Sequence, residues 1–224
     1  MAADFSFMNG ASRVIIIDNN WRLAFVKSKL PKVETLNFST LANGETITSK
    51  LKEMVHGGPD VALECVAGEY AKGWGHYFEM MLGMETDTSE IINEMITSVK
   101  NFGRCGITGV YVGFVSLSTF PALLLHLLTY SQTNHFNIGS LMERGIRLIG
   151  NGQAPVHLYW EDLLKKIESG EIDPTRMLTH RVRLDDFETL YDKFNQRADG
   201  IQKVFVETKF SSPPAPGTPA LTVL

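Results

Sequence analysis

The residue whose placement says most about chemistry is Asp18. It closes the run Arg13-Val-Ile-Ile-Ile-Asp18, and a helical pattern from Trp21 to Leu30 follows. An acid at the end of a strand that feeds a helix can accept hydrogen bonds from the ribose hydroxyls of a bound dinucleotide. Its charge also repels a 2′-phosphate, which favours NAD over NADP. The same acid can instead cap the helix that starts near Asn20 or Trp21. Methyltransferases that bind S-adenosylmethionine also carry an acid in this place. A dinucleotide site needs a glycine-rich phosphate turn roughly 20 residues before such an acid. Here Met1 to Asn9 contain no glycine.

Other candidates carry less. The histidines at 56, 76, 126, 135, 157 and 180 form neither H-E-x-x-H nor a pairing with C-x-x-C, so no metal ligand is expected among them. Glu64-Cys65 could suggest a nucleophile, but a cysteine on a buried strand reads as a small inert hydrophobe. Asp185-Asp186 and Glu161-Asp162 stand at helix starts, where the helix dipole accounts for them. Gly152-Gln-Ala-Pro155 follows a strand and reads either as a ligand loop or as a plain turn.

The elements that must position these residues alternate short β-rich runs with helical patterns. That alternation predicts an α/β fold with a mainly parallel sheet. Strands are expected over Arg13–Asp18 (buried on both faces), Val33–Phe38, Asp60–Val66, Gly103–Gly113, Ile146–Ile149 and Lys203–Glu207. Met1 to Gly10 reads as a helix end with Gly10 as its stop. Ile47, Leu51, Met54 and Val55 make one helix stripe, ended by Gly57-Gly58-Pro59. A helix is expected from about Thr88 to Lys100, and amphipathic ones through Trp160–Ile167 and Phe187–Phe194. Residues 68–85 read as a long Gly- and aromatic-rich loop. The Pro-rich tail 211–224 reads as disordered.

Composition bounds the function. The 224 residues are 44% hydrophobic and 21% charged, with a net charge of −4. That is globular usage, and it offers no basic excess for nucleic acid. Two cysteines, Cys65 and Cys105, make neither a disulfide framework nor a four-thiolate zinc site. They suit a reducing compartment, and the start has no basic n-region of a secretory leader, so the cytoplasm is expected. One stretch stands apart. Cys105 to Met142 contains no Asp, Glu, Lys or Arg, and 110–130 approaches the roughly 20 apolar residues of a membrane span. Pro121, His126 and four hydroxyl residues argue against a span.

The order of elements resembles the C-terminal part of the medium-chain, zinc-type alcohol dehydrogenases, closest to the glutathione-independent formaldehyde dehydrogenases. The segments that carry this are Gly10-Ala-Ser-Arg-Val-Ile-Ile-Ile-Asp18, Asp60-Val-Ala-Leu-Glu-Cys-Val66, Gly106-Ile-Thr-Gly-Val-Tyr111, Gly152-Gln-Ala-Pro-Val156 and Ile172-Asp-Pro-Thr175. The resemblance implies that Asp18 holds the adenosine ribose with Arg22 beside it. Val66, Lys72 and Trp74 would line the cofactor cleft. Gly109 and Val110 would approach the nicotinamide through their backbone, and Gly152 and Gln153 would close over the cofactor. It further implies oxidation of a primary alcohol or hydrated aldehyde by NAD, with zinc as Lewis acid. Subunits would pair through the edge strand at 146–149.

Several departures shape the expectation. The phosphate turn and first strand of the dinucleotide fold would stand ahead of Met1, and no zinc ligand or catalytic residue is assigned within the chain. That first strand is central in the order 3-2-1-4-5-6, so the strands flanking it would face each other across a gap wider than the ~4.8 Å ladder spacing. The family also reads from Gly-Phe directly into Thr-Asn-His-Phe-Asn. Here Val115 to Gln132 intervene, either as a retained intron translated in frame or as a genuine insertion. The expected organisation is an incomplete Rossmann-like domain over 1–175, an appendage over 176–210 that would pack on a catalytic domain, and the tail. The expected function is a piece of an NAD-dependent alcohol or formaldehyde dehydrogenase, inactive alone. The alternatives are a non-catalytic nucleotide-binding or dimerisation module, homomeric or heteromeric, and a membrane-associated protein using 110–130.

Overall fold

The computed structural model describes residues 1–66, 89–109, 135–196 and 198–223. They fall into two compact units, residues 2–154 and, with Met1, the residues from Pro155 onward.

In the first unit, α1 (Ala2–Met8) stops ahead of Gly10. The φ of Gly10 is +89°, the left-handed conformation that ends helices and that glycine adopts freely. Then follow β1 (Ile15–Asp18), α2 (Asn20–Lys29), β2 (Glu34–Asn37), α3 (Ile47–Met54), β3 (Val61–Glu64), α4 (Glu90–Ser98), β4 (Arg104–Ile107), α5 (Ile138–Glu143) and β5 (Arg147–Gly150). All pairings are parallel, as the alternation predicts. They form two sheets, β1–β2 and β3–β4–β5. Among the described residues no ladder joins β1 to β3, so the sheet divides where the sequence leads one to expect a gap.

The division exposes side chains. Ile17 of β1 is 37% exposed, and Val61 and Leu63 of β3 are about half exposed. The expectation that β1 is buried on both faces is therefore corrected. Among the described residues β1 pairs only with β2, and Ile17 points to an open face.

The core of this unit lies beneath α4. Ile92, Met95, Ile96 and Val99 sit against Cys105 of β4 and Ile146, with Phe136, Leu141 and Leu148 around them. Thr46 and Ser49 form a reciprocal capping box that starts α3. α3 meets α4 through Thr48 Oγ1 and Ser98 Oγ, 3.0 Å apart. The Arg144 guanidinium donates to the carbonyls of Ile96 (2.6 Å) and Val99, satisfying two free acceptors at the end of α4 with a cation that suits the helix dipole.

The second unit holds α6 (Trp160–Glu168), β6 (Leu178–Arg183), α7 (Phe187–Asn195) and β7 (Lys203–Glu207). Within the region read as an appendage, 176–210, β6 and β7 pair as parallel strands joined through α7. Val182, Leu190 and Ile201 form their core. Leu221 bridges to Arg181. The apolar stripes of both helices stand largely open: Trp160, Leu164, Phe187, Tyr191 and Phe194 are all exposed. Among the described residues no helix is long and apolar enough to cross a membrane. The stretch 110–130, the insertion 115–132 and the loop at 68–85 lie outside the described residues.

Ile96 is fully buried at the centre of the first unit's core. Ile96→Ala is expected to destabilise the chain by roughly 2–5 kcal/mol, read from the urea midpoint. Trp160→Ala on the open face of α6 should change it by no more than about 1 kcal/mol.

Candidate nucleotide-binding site

The site is built on turns that leave the carboxyl ends of parallel strands, the place where open α/β sheets bind ligands. Two groups of residues gather there within the first unit.

The first is the turn from β1 into α2. Asp18 Oδ1 accepts the backbone N–H of Asn19 at 2.8 Å and pairs with Arg22 Nη1 at 3.2 Å. Arg22 thus stands beside Asp18 one helical turn on, where the (i, i+4) spacing brings side chains together. Among the described residues both of these bonds go to Oδ1, which leaves Oδ2 as an open acceptor. The capping alternative is not what forms. The N-cap residue of α2 is Asn19, and its side chain makes no cap bond. Asn19 Oδ1 is buried with no hydrogen-bond partner among the described residues. A buried acceptor without a donor is costly, and a ligand hydroxyl at this turn would relieve it. The Arg22 guanidinium also lies 5.2 Å from the centre of the Trp21 ring, a cation–π distance.

The second group follows β3, β4 and β5. The ladder places Glu64 opposite Ile107 and Ile107 opposite Gly150, so the three strands end level. The turns are then stitched together. The N–H and hydroxyl of Thr108 both donate to the carbonyl of Glu64, at 3.0 and 2.7 Å. The N–H of Asn151 donates to the carbonyl of Ile107 at 2.7 Å. A Cβ placed on Gly109 would fall 2.0 Å from the Val66 carbonyl oxygen, and one on Gly152 would fall 3.4 Å from the Gly109 carbonyl oxygen. Val66, Gly109 and Gly152 are thereby brought together, and glycine at 109 is dictated by space. Gln153 follows on the exposed side of the same turn. Lys72, Trp74 and Val110, the remaining cofactor candidates, lie outside the described residues.

The sequence marks Glu64 only beside Cys65, as part of a possible nucleophile pair. Its side chain is buried, and each carboxyl oxygen accepts one backbone N–H: Oε1 from Val66, Oε2 from Gly109 at 2.8 Å. The signal was available as a single acid inside the apolar run Val61-Ala-Leu-Glu-Cys-Val66. An acid there is tolerated only with partners. Its neighbour Cys65 requires a correction: it lies just past the end of β3 and is exposed, not buried on the strand. The buried thiol is Cys105, which desolvation pushes up to about 11 against the opposing pull of Arg144.

Among the described residues no group of three His, Cys, Asp or Glu side chains could hold a metal ion. The β1–α2 turn instead presents two oxygen acceptors, Asp18 Oδ2 and Asn19 Oδ1.

The described residues thus combine a parallel α/β fold with an acceptor turn after β1 and glycine turns after β4 and β5. No family model matches the chain. Its homologues and structural neighbours are zinc-type alcohol dehydrogenases, in keeping with the resemblance read from the sequence. It is 28% identical over 201 residues to a zinc-type alcohol dehydrogenase-like protein of Schizosaccharomyces pombe, covering 88% of this chain and 42% of that protein. It is 29% identical over 207 residues to the uncharacterized zinc-type alcohol dehydrogenase-like protein AdhB of Bacillus subtilis, covering 92% of this chain and 49% of that one. Benzyl alcohol dehydrogenase from Acinetobacter calcoaceticus shares the fold with a TM-score of 0.62 at 15% identity, over 92% of this chain and 45% of the other. A zinc-binding dehydrogenase of Sinorhizobium meliloti bound to NADP gives a TM-score of 0.57 at 18% identity, over 91% and 47%. The chain spans about half the length of the curated relatives it matches.

The two cysteines should behave differently. A thiol reagent at pH 8 is expected to modify Cys65 and leave Cys105 unreacted in the folded chain, as mass spectrometry of the labelled peptides would show. Unfolding releases a Cys105 proton that the folded chain keeps. Stability should therefore fall as pH rises from 9, the ordinary thiol value, towards 11, and urea midpoints across that range test it.

Proposed function

We propose that this chain forms the nicotinamide-dinucleotide-binding part of a zinc-type alcohol dehydrogenase. The observation that carries this is the β1–α2 turn, where, among the described residues, Asp18 keeps Oδ2 open and Asn19 Oδ1 is a buried acceptor without a donor. In this reading Asp18 accepts the hydroxyls of the adenosine ribose, and its charge disfavours a 2′-phosphate. Arg22 holds Asp18 in position through the 3.2 Å pair. Val66, Lys72 and Trp74 line the cleft, Gly109 and Val110 present backbone to the nicotinamide ring, and Gly152 and Gln153 cover it.

A bound nicotinamide supplies the chemistry, acceptance of a hydride from the substrate carbon. This chain's residues bind and orient. No proton or Lewis-acid step is assigned to these residues, and the chain is proposed to be inactive by itself. The substrate class is a primary alcohol or hydrated aldehyde, with formaldehyde the specific candidate. Pairing of subunits, homomeric or heteromeric, would use β5, which lies at the edge of its three-stranded sheet.

The test is a calorimetric titration of the chain with NAD and NADP. Wild type is expected to prefer NAD. Asp18→Ser should weaken NAD about tenfold, the loss of about one hydrogen bond to a charged acceptor, since the serine hydroxyl keeps the other. It should also improve NADP binding, because Arg22 is then released for the 2′-phosphate. Equal affinity for both cofactors in wild type and variant would contradict the assignment.

A further inference from the structure

Glu64 is buried at the carboxyl end of β3 and is one of only three polar residues among the buried side chains of the described residues. A buried acid needs a reason, because an apolar side chain of similar size fills the same space at lower cost. The two N–H groups it satisfies belong to different turns. Val66 follows β3, and Gly109 follows β4, 45 residues from Glu64 in the chain. Nor do these bonds belong to the sheet. The strand ladder stops at Glu64 and Ile107, and the carboxyl group extends the connection past it, to the level where ligands lie in such folds.

We propose that Glu64 is a positioning residue for the nicotinamide end of the cofactor. This rests on the nucleotide-binding reading above. One carboxyl oxygen holds the Val66 turn and the other holds the Gly109 turn, so the two walls between which the ring would lie are fixed to one rigid group. The absence of a Cβ at Gly109 belongs to the same device. A Cβ there would meet Glu64 Oε2 at 2.6 Å and the Val66 carbonyl at 2.0 Å, and would force the two turns apart. Glutamine cannot replace the acid. It has one acceptor oxygen, and its NH2 group would face the second N–H donor-to-donor. The crossing is reinforced from the other side by Thr108, whose N–H and hydroxyl both donate to the Glu64 carbonyl.

The position of Glu64 separates this role from general support of the fold. ADP-ribose carries every part of NAD except the nicotinamide ring. It would engage the Asp18 turn and make no use of the braced turns. The experiment is titration of the full chain and its Glu64→Gln variant with NAD and with ADP-ribose. The variant is expected to lose about tenfold in NAD affinity, while ADP-ribose stays within about twofold of wild type. Should Glu64→Gln fail to fold, Thr108→Val removes only the hydroxyl bond. It is expected to weaken NAD about threefold with the same sparing of ADP-ribose. Unchanged NAD affinity in the folded variant, or equal losses for both ligands, overturns the role assigned to Glu64. A wild-type chain that binds neither ligand overturns the nucleotide-binding reading itself, and the role of Glu64 with it. Binding of ADP-ribose with a loss confined to Asp18→Ser leaves that reading standing and rejects only the brace.

Discussion

Parallel strands hydrogen-bond through evenly spaced, slanted bonds, and β3, β4 and β5 do so in a single register, from Val61, Arg104 and Arg147 to Glu64, Ile107 and Gly150. Because the three strands end level, the turns after them meet, and Val66, Gly109 and Gly152 come together although 86 positions separate the first from the last (152 − 66). The core under α4 holds this ladder from one side, with Ile96 and Val99 fully buried against Cys105. Arg144 fastens the end of α4 to the turn before β5. Glu64 carries the same connection beyond the last ladder bond. The second group of the candidate site is thus a consequence of register, not of a sequence motif.

The division of the parallel strands into two sheets is the second constraint. Backbone N–H and C=O groups that lack partners must meet water, another chain or another segment. The side chains next to the division, Ile17, Val61 and Leu63, are apolar and open. The open faces of α6 and α7 make a similar statement in the second unit. Trp160, Leu164, Phe187, Tyr191 and Phe194 recur at helical spacing, yet only Leu190 of α7 is buried.

Part of the fold was legible because short apolar runs, clearest in Ile15-Ile-Ile17 of β1, alternate with helical stripes. β7 falls on Lys203–Glu207 as read, and β1, β3 and β4 fall inside their expected ranges. The helix α5 (Ile138–Glu143) was not read. It has six residues, too few to show a hydrophobic period, and its start is marked only by the Asn137 side chain accepting the N–H of Ser140. Burial was less legible than secondary structure. Periodicity marks an apolar face and says nothing of what covers it, so the stripes of α6 and α7 were visible while their exposure was not. In the site, Asp18 was legible from its place after four apolar residues. The bracing role of Glu64 was not, because it depends on Gly109 lying across the ladder, a contact that no local spacing reveals.

The most direct test of the account is to map nucleotide binding on the folded chain by following backbone amide resonances during titration with NAD. The shifts are expected to gather at Asn19, Val66, Gly109 and Gly152, with the second unit from Pro155 onward unaffected. Saturable shifts confined to the second unit, or none at millimolar NAD, would contradict it.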